Sequence, residues 1–142
     1  MLLVNVLKIR TLVFDSAHYI KGHPKCGSVH GHTYTVENLR VETTKFVDFE
    51  KLKIVIEEID HLLLVPREDD VVWERVCGIL ADYNIGLKIL YIDGPTIVEN
   101  IKKELCKLFL GLPGVQKVSF DLYEGLNSGV AVSERVRDIG RS

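Results

Sequence analysis

Three histidines and a cysteine crowd one short stretch near the N-terminus, in the order His18, Cys26, His30 and His32. Imidazole nitrogen suits divalent zinc, and a catalytic zinc keeps three protein ligands and one open position. The spacing of the last two histidines is the informative part. Side chains two apart on a β-strand project from the same face. His30 and His32 therefore point together, about 6–7 Å apart along the strand, close enough for two rings to converge on one ion. Gly31 between them adds no bulk to the opposite face. His18 must approach from elsewhere, most simply from a neighbouring strand. Cys26, four residues before His30, is either a fourth ligand or a reactive thiol beside the metal. His23 lies next to Pro24 in a run of turn-forming residues, 21–25, and reads as solvated.

These residues need a frame. Residues 3–14 are rich in Val, Leu and Ile and predict a strand. Residues 32–43 alternate around Tyr34, Val36 and Val41 and predict a second, with a bulge where Asn38-Leu39 breaks the alternation. Asp48 is a good N-cap for a helix that places Phe49, Leu52, Val55, Ile56 and Ile59 at helical spacing and runs to about His61. A second helix follows Pro95, where Thr96 and Glu99 have capping-box spacing. Ile97, Ile101, Leu105, Leu108 and Phe109 form its apolar face, and Gly111 and Pro113 end it. Residues 115–123 and 129–136 predict a closing hairpin around Gly125-Leu126-Asn127-Ser128. Between the helices, residues 71–92 are ambiguous: 71–73 and 87–91 fit strands, and 79–82 fit a helical turn. The order predicts an α+β fold: an antiparallel four-stranded sheet with two helices on one face and an inserted segment between the helices. Such a sheet has open edges, and pairing between copies is one way to manage them.

A chain of 142 residues predicts a single domain spanning 1–142. Its 46% hydrophobic and 27% charged content are those of an ordinary globular protein. A net charge of −2 offers no basic footprint for nucleic acid. No apolar run approaches the 18 or more residues of a membrane span. Asn5, Lys8 and Arg10 interrupt the first apolar stretch, which does not read as a signal peptide. Three widely spaced cysteines, 26, 77 and 106, do not make a disulfide framework and suit a reducing cytoplasm. Cys77 and Cys106 sit in apolar runs and read as small core residues.

Taken together, the motifs resemble the 6-pyruvoyltetrahydropterin synthase family, including its relative 6-carboxytetrahydropterin synthase. That family reads F-x-S-A-H, then Cys and H-G-H-x-Y, then D-F before a helix. L-D-H, P-T-x-E-N and a late Glu in the closing hairpin follow. Here Phe14, Ser16, Ala17 and His18 match the first motif, and Cys26, His30, Gly31, His32 and Tyr34 the second. Asp48-Phe49, Ile59-Asp60-His61, Pro95-Thr96 with Glu99-Asn100, and Glu124 followed by Asn127 supply the rest in order. Three residues separate Cys26 from His30, which resembles the carboxytetrahydropterin synthase branch; five resembles the pyruvoyl branch. The chain departs in four places, one being a shorter segment between His32 and Asp48. T-x-E-N has become Thr96-Ile97-Val98-Glu99-Asn100, Leu64-Val65-Pro66 replaces an Asn that usually follows L-D-H, and residues 71–92 look inserted.

The resemblance implies a tunnelling fold (T-fold) and Zn2+ on His18, His30 and His32. It implies a lyase acting on 7,8-dihydroneopterin triphosphate, most simply the 6-carboxytetrahydropterin synthase of 7-deazaguanine (queuosine and archaeosine) biosynthesis, with the 6-pyruvoyl reaction as the alternative. Cys26 would be the base, His61 with Asp60 its proton partner, Glu124 the pterin anchor, and Thr96 and Glu99 further substrate contacts. It also implies a homo-oligomer, trimer or hexamer, with active sites at subunit interfaces. Two other classes fit the residues alone. One is a closed structural zinc site completed by Cys26. The other is a zinc hydrolase with a carboxylate base.

Overall fold

The computed structural model describes residues 5–125 and 128–135. Strand β1 (Asn5–His18) and strand β2 (His30–Thr43) pair antiparallel from Asn5 opposite Thr43 to His18 opposite His30. Helix α1 (Phe49–Ile59) starts as expected, with the Asp48 carboxylate accepting the Glu50 N–H. Strand β3 (Leu62–Pro66) and a 3-10 turn (Arg67–Asp69) lead into helix α2 (Asp70–Ala81) and strand β4 (Ile89–Ile92). Helix α3 (Val98–Leu110) and strands β5 (Val115–Glu124) and β6 (Ser128–Arg135) complete the order. Of the closing turn, Leu126 and Asn127 lie outside the described residues.

The sheet corrects the four-stranded antiparallel expectation. Among the described residues it has six strands in the order β4-β3-β1-β2-β5-β6, with β3 parallel to β1 and β4 parallel to β3. The antiparallel half is the expected one; the added half comes from the segment between the two predicted helices. The expected bulge is present: the β2–β5 register shifts between Glu37 and Arg40, and Asn38 adopts φ 56°. Both histidine-bearing strands run longer than their apolar patterns, since β1 reaches His18 and β2 begins at His30.

Among the described residues there are three α-helices, and they occupy both faces. Alternation along β3 shows why. Leu64 belongs to the main core with α1 and α3, which contribute Leu52, Val55, Ile59, Ile101, Leu105 and Phe109, all nearly inaccessible. Leu63 and Val65 face the other way and meet Trp73 of α2, with Tyr19, Ile89 and Tyr91. Successive strand residues point to opposite faces, so α2 covers the face that α1 and α3 leave open. Cys106 is buried in the main core as expected, whereas Cys77 on α2 is only half-buried.

The capping box at α3 does not form. The N-cap is Ile97, which has no side-chain cap. The extra residue between Thr96 and Glu99 lets the helix start later, and Thr96 turns inward to full burial. Gly111 ends the helix as expected.

Candidate metal centre and catalytic groups

Register alone brings the histidines together. His18 is paired with His30, and Ser16 with His32, so the three imidazoles project from one face at the same end of two adjacent strands. Their ring centroids lie 4.7–5.0 Å apart, and one nitrogen from each falls within 4.8 Å of the others. Backbone carbonyls orient two of them. His18 Nδ1 donates to the Thr96 carbonyl at 2.7 Å, and His30 Nδ1 to the Ser28 carbonyl at 2.6 Å. A ring held through Nδ1–H presents an unprotonated Nε2, the arrangement that outer-shell partners give metal-bound histidines. His18 Nε2 is buried without a hydrogen-bond partner, and His32 Nε2 is buried without a well-formed one, the Glu124 carboxylate standing 3.3 Å away. Burial also pushes the His18 pKa down, against the pull of the Thr96 hydrogen bond, so this ring stays neutral near pH 7. Three imidazole nitrogens gathered around one point, two of them buried without a well-formed hydrogen bond, fit a metal ion.

Cys26 is not part of this group. It sits half-buried on the β1–β2 loop, where its N–H donates to His23 Nδ1 at 2.8 Å and its carbonyl accepts from Ile20 N–H at 2.7 Å. His23 is exposed as expected, yet it has a structural duty: its ring shapes the turn that carries Cys26, also accepting from Lys25 N–H.

Asp60 and His61 do touch. The Asp60 carboxylate lies 2.8 Å from His61 Nδ1. Neighbours on a helix diverge, but α1 has ended at Ile59, and His61 takes a left-handed φ of 59°. The Asp15 peptide holds this turn from both sides. Its N–H donates to Asp60 Oδ1 at 2.8 Å, and its carbonyl accepts from His61 N–H at 2.6 Å. Thr33 donates to the Asp15 carboxylate at 2.6 Å and so ties the pair to β2. Burial pushes the Asp60 carboxyl up, but the hydrogen bonds from Asp15 and His61 outweigh it and hold it below the usual carboxylate range. Asp15 and Thr33 were missed from sequence; their only signal was facing each other across β1 and β2.

A groove of about 850 Å³ opens between α2 and the outer face of the sheet. His61, His32, Asp15, Thr33, Trp73 and Lys88 are among its walls. Gly31 lies on its floor, where an added Cβ would come no nearer than 3.9 Å to another group, so the glycine keeps the floor open rather than relieving a clash. Glu124 stands on the other side of β2, paired with Tyr34, and its carboxylate lies 3.3 Å from His32 Nε2. Thr96 is fully buried: its hydroxyl donates to the Tyr19 carbonyl at 2.8 Å while its own carbonyl holds His18. Glu99 is exposed on the first turn of α3. One chain thus gathers the triad with Glu124 and places the Asp60–His61 pair at the groove. Cys26 belongs to neither set.

Residues 9–135 match the family described as 6-pyruvoyl tetrahydropterin synthase. The chain belongs to that family. Three archaeal relatives are provisionally named 6-carboxy-5,6,7,8-tetrahydropterin synthase. The Methanocaldococcus jannaschii protein is 41% identical over 71 residues, 44% of this chain and 44% of its own length. The Pyrococcus horikoshii protein is 35% identical over 95 residues, 62% of this chain and 57% of its own length. The Archaeoglobus fulgidus protein is 38% identical over 72 residues, 45% of this chain and 63% of its own length. The chain therefore spans about half the length of the curated relatives it matches. The fold agrees with 6-pyruvoyl tetrahydropterin synthase structures. The Plasmodium falciparum structure overlays with a TM-score of 0.55 at 14% identity, covering 92% of this chain and 99% of that one. The Plasmodium vivax structure gives 0.56 at 17%, covering 94% and 100%. No helix among the described residues is long and apolar enough to cross a membrane.

Proposed function

We propose that this tetrahydropterin synthase family member is a zinc-dependent lyase acting on 7,8-dihydroneopterin triphosphate, of the 6-carboxytetrahydropterin synthase type. The observation that carries the reading is the triad, with one ligand nitrogen from each ring within 4.8 Å of the others while Cys26 stays outside the group. A closed Cys-His₃ structural site would need that sulfur about 2.3 Å from the ion. The archaeal relatives and the three-residue gap between Cys26 and His30 support the carboxy branch.

In this reading His18, His30 and His32 hold Zn2+. When bound, the ion supplies Lewis acidity that stabilises charge on side-chain oxygens and acidifies the adjacent C–H. Cys26 removes that proton; a thiol near neutrality becomes a competent base when cationic groups lower its pKa. His61 donates Nδ1–H to Asp60, which leaves Nε2 to take and return protons from the groove side. Glu124 receives the 2-amino and N3 edge of the pterin through two parallel hydrogen bonds. The homo-oligomer belongs to the proposal: the Asp60–His61 pair of one subunit serves the triad and Cys26 of another. Thr96 acts by holding His18 rather than by touching substrate. The setting is cytoplasmic, in 7-deazaguanine biosynthesis.

The test is incubation of zinc-loaded protein with dihydroneopterin triphosphate and identification of products. Acetaldehyde with a 6-carboxy pterin supports the reading. A 6-pyruvoyl product moves the chain to the alternative branch, and no turnover with metal bound sinks the enzyme assignment. Cys26→Ala should keep zinc and lose turnover. Loss of zinc from that variant would make Cys26 a ligand, and unchanged turnover would point to hydrolase chemistry.

A further inference from the structure

Among the described residues, three buried side-chain polar atoms lack a well-formed hydrogen bond: His18 Nε2, His32 Nε2 and the Tyr34 hydroxyl. All three belong to one cluster. The Tyr34 ring lies edge-on to His32 at 5.9 Å and to His18 at 6.4 Å, and its strand position faces Glu124. Stacking on Phe14 at 5.0 Å fixes the ring. An orphaned buried hydroxyl is costly and calls for an explanation. A metal ion accounts for the two imidazole nitrogens. It does not account for the phenol, which is a donor in need of an acceptor oxygen.

We propose that the Tyr34 hydroxyl donates a hydrogen bond to a side-chain oxygen of the ligand held over the three imidazoles, making Tyr34 a ligand-contacting residue. Its place is fixed before any ligand arrives, because the strand register that sets His32 also sets Tyr34 two residues on. A donor fixed in advance at a site where oxygen gains negative charge is worth more than the same donor in water. The proposal rests on the pterin reading for the identity of that ligand, so its test separates the side chain of the pterin from the ring.

The experiment compares wild type and Tyr34→Phe, both zinc-loaded. Calorimetric titration uses two probes: neopterin, which carries the hydroxylated side chain, and 6-methylpterin, which lacks it. The phenylalanine keeps the stack on Phe14. We expect neopterin to bind the variant about tenfold more weakly, the equivalent of ~1.4 kcal/mol. We expect 6-methylpterin and zinc, the latter by chelator competition, to bind both proteins alike. Equal neopterin affinity overturns the inference. So does a lower denaturation midpoint for the metal-free variant, because it would reveal a partner for the hydroxyl within the fold. Failure of wild type to bind either pterin overturns the pterin reading and this inference with it, an outcome visible before any variant is compared.

Discussion

The two halves of the sheet are held by different physics. On the antiparallel half, α1 and α3 bury their apolar faces almost completely, down to Ile59, Leu105 and Phe109 at 0% exposure. On the parallel half, α2 buries none of its residues fully, and Val71, Val72 and Ile79 remain largely exposed. That half has only a small apolar cluster around Leu63 and Val65, and a polar latch supplements it. Trp73 Nε1–H donates to the Tyr19 hydroxyl at 2.7 Å, Tyr19 donates to the buried Asp69 carboxylate at 2.6 Å, and Lys21 pairs with the same carboxylate. Apolar area grips everywhere along a helix; a latch grips at a point. The histidine triad lies where the two regimes meet, because Tyr19 follows His18 directly.

Five perturbations would break or sharpen that contrast. Phe109→Ala should cost about 3–5 kcal/mol of global stability in denaturant unfolding, since it empties a packed site between α3 and the sheet. A loss below ~1 kcal/mol would mean the antiparallel half is not the dominant core. Asp69→Asn should cost less, about 1–3 kcal/mol, as buried bonds to a charged acceptor are weakened. Hydrogen exchange should show that loss concentrated in α2 and β4, and a uniform loss would contradict the latch. Acid gives a milder version. Burial pushes the Asp69 carboxyl up, but hydrogen bonds from Lys21 and Tyr19 outweigh it and leave its pKa below the usual range. Its stabilisation is therefore present above the unfolded pKa of about 3.9 and is lost as pH falls through the lower folded value. Amides of α2 should lose protection below pH ~4, and Asp69→Asn should remove that dependence. At the alkaline end burial, with Asp69, pushes Tyr19 up to about 12. This contribution is complete below about 10 and lost as pH climbs through that interval. The smallest effect is expected for Val72→Ser, within about 0.5 kcal/mol, because an exposed side chain has little burial to lose.

The antiparallel half was also the legible half. Alternation in residues 32–43, the Asp48 cap and the 3.6-residue period of α1 and α3 are local signals, and each element formed nearly where they pointed. The triad was legible for the same reason: strand spacing fixes which side chains share a face. The parallel half was hidden. β3 is a short, wholly apolar run ending at Pro66, and its parallel partners are set by long-range pairing. The β-branched Val71-Val72 suggested strand, whereas the spacing of Trp73, Val76, Cys77 and Leu80 is helical. Thr96 shows the limit for single residues. Its spacing to Glu99 fitted a cap, but the tertiary demand of His18 for a carbonyl and of Tyr19 for a donor turned it inward. The contact between Asp60 and His61 likewise depended on where α1 stopped.

Trp73 is the only tryptophan in the chain, and its indole N–H ends on the residue next to His18 of the triad. The protein thereby carries its own optical reporter. Emission excited at the indole should move to the red when the latch opens to water, with no dye attached. The fold places that signal at the hinge between its two halves.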